Sequence, residues 1–209
     1  MSDYLQKHHP DYLFVAPVSS INGGDILFIE AEGFFRLFPF VEGSHTTDVV
    51  QNPEQAYEAA VQFGRFTRLL SGVDIQKLKI TIPDFHNLSL RYRQFTDALN
   101  NGNKKRINES KELIKAITDH SGIVAIYDRI KTDSAFRLRA THHDTKISNV
   151  LFDKNDKGLC VIDLDTVMPG YFISDVGDMM RTYLSPVSEE EIDFRKIVVR
   201  EDFYKAIVQ

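Results

Sequence analysis

Thr141-His142-His143-Asp144-Thr145-Lys146-Ile147-Ser148-Asn149-Val150-Leu151-Phe152, continued by Leu159-Cys160-Val161-Ile162-Asp163-Leu164-Asp165, decides how this chain reads. An Asp, an Asn five residues later and a second Asp at the end of an apolar run are set among short β-forming segments. The turn-forming run Lys154-Asn155-Asp156-Lys157-Gly158 predicts a hairpin of residues 150–153 with 159–164. Pairing those strands makes Asn149 and Asp163 neighbours. Both offer oxygen to a hard cation such as Mg2+, and Asp144 is left free to accept a proton. Phosphoryl transfer requires that combination, because its barrier is lowered mainly by positioning and charge neutralisation. Taken singly, each residue reads equally well as a turn cap or a strand edge; their joint spacing favours the chemistry.

Outward from this stretch, residues 12–40 predict a β-meander with strands at 12–19, 26–30 and 34–40 and a turn at Asn22-Gly23-Gly24-Asp25. The character changes after Glu42-Gly43. Asn52 is placed to cap a helix with Pro53 at its first position. Ala56, Ala59, Ala60, Phe63, Phe66 and Leu70 then recur at helical spacing. Ile82-Pro83-Asp84-Phe85-His86-Asn87 interrupts, and helices are expected over 88–99, 105–119 and 121–131. A strand at 136–140 leads into the His-His-Asp loop, and helical signal resumes near Asp175 and near Glu189. The fold class is α+β in two lobes: residues 1–43, a partial meander, and residues 44–209, mainly helical and carrying the catalytic β-hairpin.

The composition is that of an ordinary globular chain: 209 residues, 43% hydrophobic, 26% charged and a formal net charge of −5. The only dense basic cluster is Lys104-Lys105-Arg106, so nucleic acid is not an expected partner. No apolar stretch approaches a membrane span and the N-terminus has no signal-peptide pattern, which gives a cytoplasmic expectation. Cys160, the only cysteine, lies in an apolar run and reads as a buried thiol. His142 and His143 are adjacent and leave a strand on opposite sides, a poor arrangement for joint metal binding. One of them is expected to brace the loop.

The loop resembles that of the aminoglycoside phosphotransferase and choline kinase superfamily, in which His-x-Asp is followed by Asn five residues on and then by an Ile-Asp strand. His142, Asp144, Asn149, Ile162 and Asp163 match. Thr141 to Phe152, Leu159 to Gly170, Asp175-Val176-Gly177-Asp178-Met179-Met180-Arg181, the 82–87 element and Arg91 look most like N-acetylhexosamine 1-kinases. The resemblance implies a protein-kinase-like two-lobe fold with ATP as co-substrate and Mg2+ as cofactor. It implies Asp144 as base, Asn149 and Asp163 as metal ligands, and His142 as loop support. Asp165 is a candidate for assisting at the metal or orienting Asp163. His86, Arg91, Asp178 and Arg181 are candidate sugar contacts; the alternatives are loop anchoring for His86 and Arg91, capping of the following helix by Asp175 and Asp178, and surface pairing of Asp178 with Arg181. Phe38, Pro39 and Phe40 would face the adenine.

The implied reaction phosphorylates a small-molecule hydroxyl, first of all the anomeric hydroxyl of an N-acetylhexosamine. Choline, homoserine and aminoglycosides are alternative acceptors. A kinase-like protein that binds without transferring, and a metal-dependent hydrolase, are the rival classes. A glycine loop and a strand lysine are absent from the sequence: Lys7 is the only lysine before Lys77. Against the family pattern both ends look cut, and an uncovered edge of the small sheet is expected to drive self-association.

Overall fold

The computed structural model describes residues 1–209. Residues 1–81 with 139–209 form one compact unit, and residues 82–138 form a second. No helix is long and apolar enough to cross a membrane.

The larger unit is organised around α2 (Pro53–Leu69). Its start is chemically explicit: Asn52 Oδ1 accepts the Gln55 N–H at 2.8 Å, and Gln55 Oε1 reaches back to the Gln51 N–H at 2.9 Å. Ala56, Ala59, Phe63 and Phe66 form its fully buried stripe. That stripe packs on β5 (Gly158–Val161) and α8 (Glu201–Ile207). β5 pairs antiparallel with β4 (Val150–Phe152), Val150 opposite Val161 and Leu151 opposite Cys160, with a bulge before Phe152. The hairpin turn is docked as well: Gln62 Nε2 donates to Gly158 O at 2.7 Å, and Glu58 accepts the Gly158 N–H and the Lys157 ammonium. A Cβ on Gly158 would stand 2.6 Å from Gln62 Cγ, so only glycine fits there without a shift. Cys160 is buried, as expected, and its burial pushes the thiol pKa up to about 11.

Short α1 (Ser2–His8) buries Leu5 in the same core. β1 (Leu27–Ile29) and β2 (Gly33–Phe35) form a separate two-stranded ladder. The first expected strand of the meander, 12–19, does not form, and the third, expected over 34–40, is confined to β2. Residues 12–19 make one ladder-like bond, Val18 N–H to Leu37 O at 2.7 Å, because Pro17 has no N–H to continue it. β3 (Leu138–Thr141) pairs with β6 (Met168–Tyr171), and α7 (Ile173–Tyr183) follows. The helix expected near Glu189 is a turn; the acids there are drawn to Arg181, Lys196 and the Asp193 N–H instead of forming a ladder.

The smaller unit holds α3 (Leu88–Asn101), α4 (Lys104–Glu109), α5 (Lys111–Asp119) and α6 (Gly122–Thr132), with α3 packed on α6. Asn87 and Asn103 cap α3 and α4. The single helix expected over 105–119 is divided at Ser110, whose N–H bonds to both Arg106 O and Ile107 O and closes α4.

Candidate active site

β3 delivers the loop that begins at His142. The His142 ring is fully buried, edge-on to Phe63 and Phe66 of α2 at centroid distances of 5.1 and 6.0 Å. Its Nε2 lies 3.0 Å from Ile162 O and its Nδ1 3.4 Å from the Asp144 N–H. A carbonyl only accepts and an N–H only donates, so Nε2 carries the proton and Nδ1 is the acceptor. Burial lowers the His142 pKa, consistent with a neutral ring. His142 therefore braces the loop against the hairpin. His143 turns to a different neighbour: a Cβ on Gly170 of β6 would fall 2.3 Å from its ring, so glycine there makes room for it.

Two acids of α7 hold the loop backbone from below. Asp175, wholly buried, accepts the His142 N–H at 3.0 Å and the His143 N–H at 2.8 Å. Burial pushes its pKa up to about 6, with the two N–H bonds opposing and the nearby Asp178 adding to the rise. Asp178 accepts the Thr145 N–H at 2.7 Å through one oxygen and pairs with Arg181 at 2.8 Å through the other. Tyr183 OH donates to Thr145 O at 2.8 Å. The helix-capping reading of Asp175 and Asp178 is thus corrected: α7 has no side-chain cap, and both acids serve the loop. Arg181 pairs with Glu189 as well.

Asp144 stands at the loop tip. Its Oδ2 accepts from Asn149 Nδ2 at 2.9 Å and lies 3.2 Å from Lys146 Nζ. Asn149 also donates to Asp144 O at 2.8 Å. Lys146 was not singled out by the sequence reasoning; a lysine two residues past the candidate base was the available signal. Burial opposes its charge, but the Asp144 hydrogen bond and the Asp144, Glu189 and Asp163 carboxylates outweigh that and raise its pKa.

The hairpin makes the expected neighbours. Ile162 N–H donates to Asn149 O at 2.9 Å, which places Asp163 one residue beyond that link. Asp163 does not close the strand, however. β5 ends at Val161, and Asp163 adopts φ 57° and ψ 67°, a left-handed conformation that leaves the pleat and starts the turn Leu164–Thr166. Thr166 Oγ1 donates to His142 O at 2.6 Å and ties this turn to the loop that begins at His142. With Asn149 Nδ2 committed to Asp144, the Asn149 amide oxygen and the Asp163 carboxylate form an all-oxygen pair, the donor chemistry that Mg2+ takes.

A cavity of about 700 Å3 opens beside this turn. Its wall joins Phe38, Pro39 and Phe40 to Leu151, Ile162, Asp163 and Asp165, residues far apart in the chain. Size and mostly apolar lining are those of a small-molecule site. Arg36, also missed by the sequence reasoning, reaches across to Asp165 with both guanidinium arms, Nη1 to Oδ1 at 2.6 Å. The Asp165 pKa is lowered by that contact.

The remaining candidates, His86 and Arg91, lie in the smaller unit. Arg91 donates to Asp84 O, Phe85 O and Gln94 Oε1, holding the turn that precedes α3, and the His86 ring lies 4.5 Å from that of Phe85.

A family model described as phosphotransferase enzyme family matches residues 1–199. Among solved structures, an aminoglycoside phosphotransferase from Alicyclobacillus acidocaldarius subsp. acidocaldarius DSM 446 superposes with a TM-score of 0.64 at 14% identity, covering 99% of this chain and 63% of that one. An AMP-bound spectinomycin phosphotransferase gives 0.55 at 15% identity, covering 99% and 65%. At such identities the likeness is one of fold, and the chain spans less than two thirds of either structure.

Proposed function

The chain belongs to the phosphotransferase enzyme family, and from that premise we propose that it acts as an ATP- and Mg2+-dependent kinase of a small-molecule hydroxyl. The observation that carries this is the Asp144 carboxylate, oriented by Asn149 and Lys146 on a loop that α7 and His142 hold in place. Asp144 accepts the proton of the acceptor hydroxyl. The hydroxyl oxygen bonds to the γ-phosphorus as the bond from phosphorus to the β-phosphate oxygen breaks, and ADP leaves with that electron pair. Asn149 and Asp163 would hold Mg2+, which when bound neutralises phosphate charge. Phe38, Pro39, Phe40, Leu151 and Ile162 supply apolar surface for the adenine.

The acceptor we favour is the anomeric hydroxyl of an N-acetylhexosamine, supported by the likeness of residues 141–181 to such kinases, with Arg181 as a sugar contact. Residues 1–43 serve as the partial small lobe. The exposed aromatic residues of β1 and β2 support self-association through that lobe. A second reading is nucleotide binding without transfer.

A coupled ADP-release screen of N-acetylglucosamine, N-acetylgalactosamine, choline, homoserine and an aminoglycoside, paired with Mg-ATP calorimetry, tests these readings. ADP release with an N-acetylhexosamine supports the first. Release with another acceptor alone reassigns the substrate. Mg-ATP binding without release supports the second reading, and phosphate release without any acceptor points to a hydrolase.

A further inference from the structure

We infer, resting on the metal role proposed for Asn149 and Asp163, that Arg36 is a positioning residue that clasps Asp165 and so fixes the turn carrying Asp163. Asp163 and Asp165 lie two residues apart and both line the cavity, so either is chemically able to meet a cation. The structure distinguishes them. Asp163 makes no hydrogen bond or ion pair, whereas Asp165 commits both oxygens to the two arms of Arg36, 129 residues away in sequence. The left-handed backbone at Asp163 gives the turn no ladder to rest on, so its position depends on side chains. Thr166 holds one side to His142 O, and Arg36, directly after β2, holds the other. A guanidinium suits this task because its fork matches both carboxylate oxygens at once; a lysine ammonium would meet them as a point charge. Asp165 is on this view an orienting group and not a ligand.

Arg36 is also the only Lys or Arg side chain on the cavity wall, which raises the rival possibility that it serves nucleotide phosphate directly. Manganese binding separates the possibilities without turnover. Mn2+ affinity is measured by electron paramagnetic resonance on the 209-residue chain with a non-hydrolysable ATP analogue, with melting curves of every variant as folding control. The wild type is expected to bind one Mn2+, lost in Asp163→Asn. Arg36→Gln and Asp165→Asn should each weaken binding by about tenfold, the scale for groups that orient a ligand, and the double variant should be no worse than either single one. Arg36→Lys should recover little, and the swap Arg36→Asp with Asp165→Arg should recover more. Wild-type affinity in Arg36→Gln overturns the clasp and leaves Asp165 as a ligand in its own right. Unchanged or tighter binding in Asp165→Asn, with loss in Arg36→Gln, overturns it in favour of direct phosphate contact. Wild-type binding that is absent or insensitive to Asp163→Asn overturns the metal site itself, and the clasp with it.

Discussion

The β1–β2 and β4–β5 hairpins are both antiparallel pairs of three- or four-residue apolar strands, and they end in opposite environments. In β4–β5 the side chains of Val150, Phe152, Cys160 and Val161 are buried, and α2 packs on β5. In β1–β2 the same kind of residue faces water on both sides of the ladder: the Phe28 and Phe34 rings, tilted 45° to each other, lie 4.9 Å apart on one face at 59% and 77% exposure, and Leu27 and Phe35 lie on the other. A β-pattern states that a strand has apolar faces; whether they are covered depends on what else packs there. The candidate residues Asn149, Asp163 and Asp144 lie on or beside the covered hairpin, and a packed frame is what holds side chains in register.

Four changes test that contrast, in order of expected effect. Asp144→Asn, on the loop feeding the covered hairpin, should lower turnover by about 10²–10⁴ while leaving the melting curve in place; near-normal ADP release would remove Asp144 as the base. Phe152→Ala should cost about 3–5 kcal/mol in denaturant unfolding, against no more than ~0.5 kcal/mol for Phe34→Ala. Equal costs would mean that β1–β2 is as well packed as β4–β5.

The third change concerns Asp175, beneath the loop. Its folded pKa, about 6, lies above the 3.8 of an ordinary aspartate. Its relative stabilisation is therefore full below the unfolded pKa and is lost as pH rises through the folded one, over roughly pH 4 to 6, with a scale of ~3 kcal/mol. Wild type should lose stability relative to Asp175→Asn as the pH is raised from 4 to 7. A difference in melting temperature that stays constant over that range would show that Asp175 does not titrate there. The smallest effect on folding belongs to the exposed hairpin: Phe28→Ser with Phe34→Ser should leave unfolding nearly unchanged and reduce the apparent mass in light scattering. A wild type that is already monomeric would sink the self-association reading.

Much of the architecture was legible from local signals. Asn52-Pro53 and Asn87 mark helix starts through caps that their own side chains complete within three residues, and the 154–158 turn announces β4–β5. The failures were local conflicts. Pro17 interrupts an otherwise strand-like run, Ser110 splits a helical one, and the acids around Glu189 find cationic or N–H partners instead of a helix. Among the candidate residues, the proximity of Asp144, Asn149 and His142 was readable, because their spacing beside a hairpin is itself a geometric statement. Lys146 and Arg36 were missed, and the loop contacts of Asp175 and Asp178 were not foreseen although the Asp178–Arg181 pair was, because what these residues do is set by groups they meet only after folding.

The order of residue types in this chain was enough to bring Asp144, Asn149, Asp163 and an apolar hairpin together, since each lies within about twenty residues of the next and strand pairing does the rest. Tertiary structure alone decided which acids stay open and which are spent. Asp163 is left without a partner while Asp165 is held by Arg36 and Asp175 by two backbone N–H groups. Those assignments depend on distances between segments 32 to 129 residues apart, and a carboxylate's role follows from the donors that reach it, not from its place in the chain.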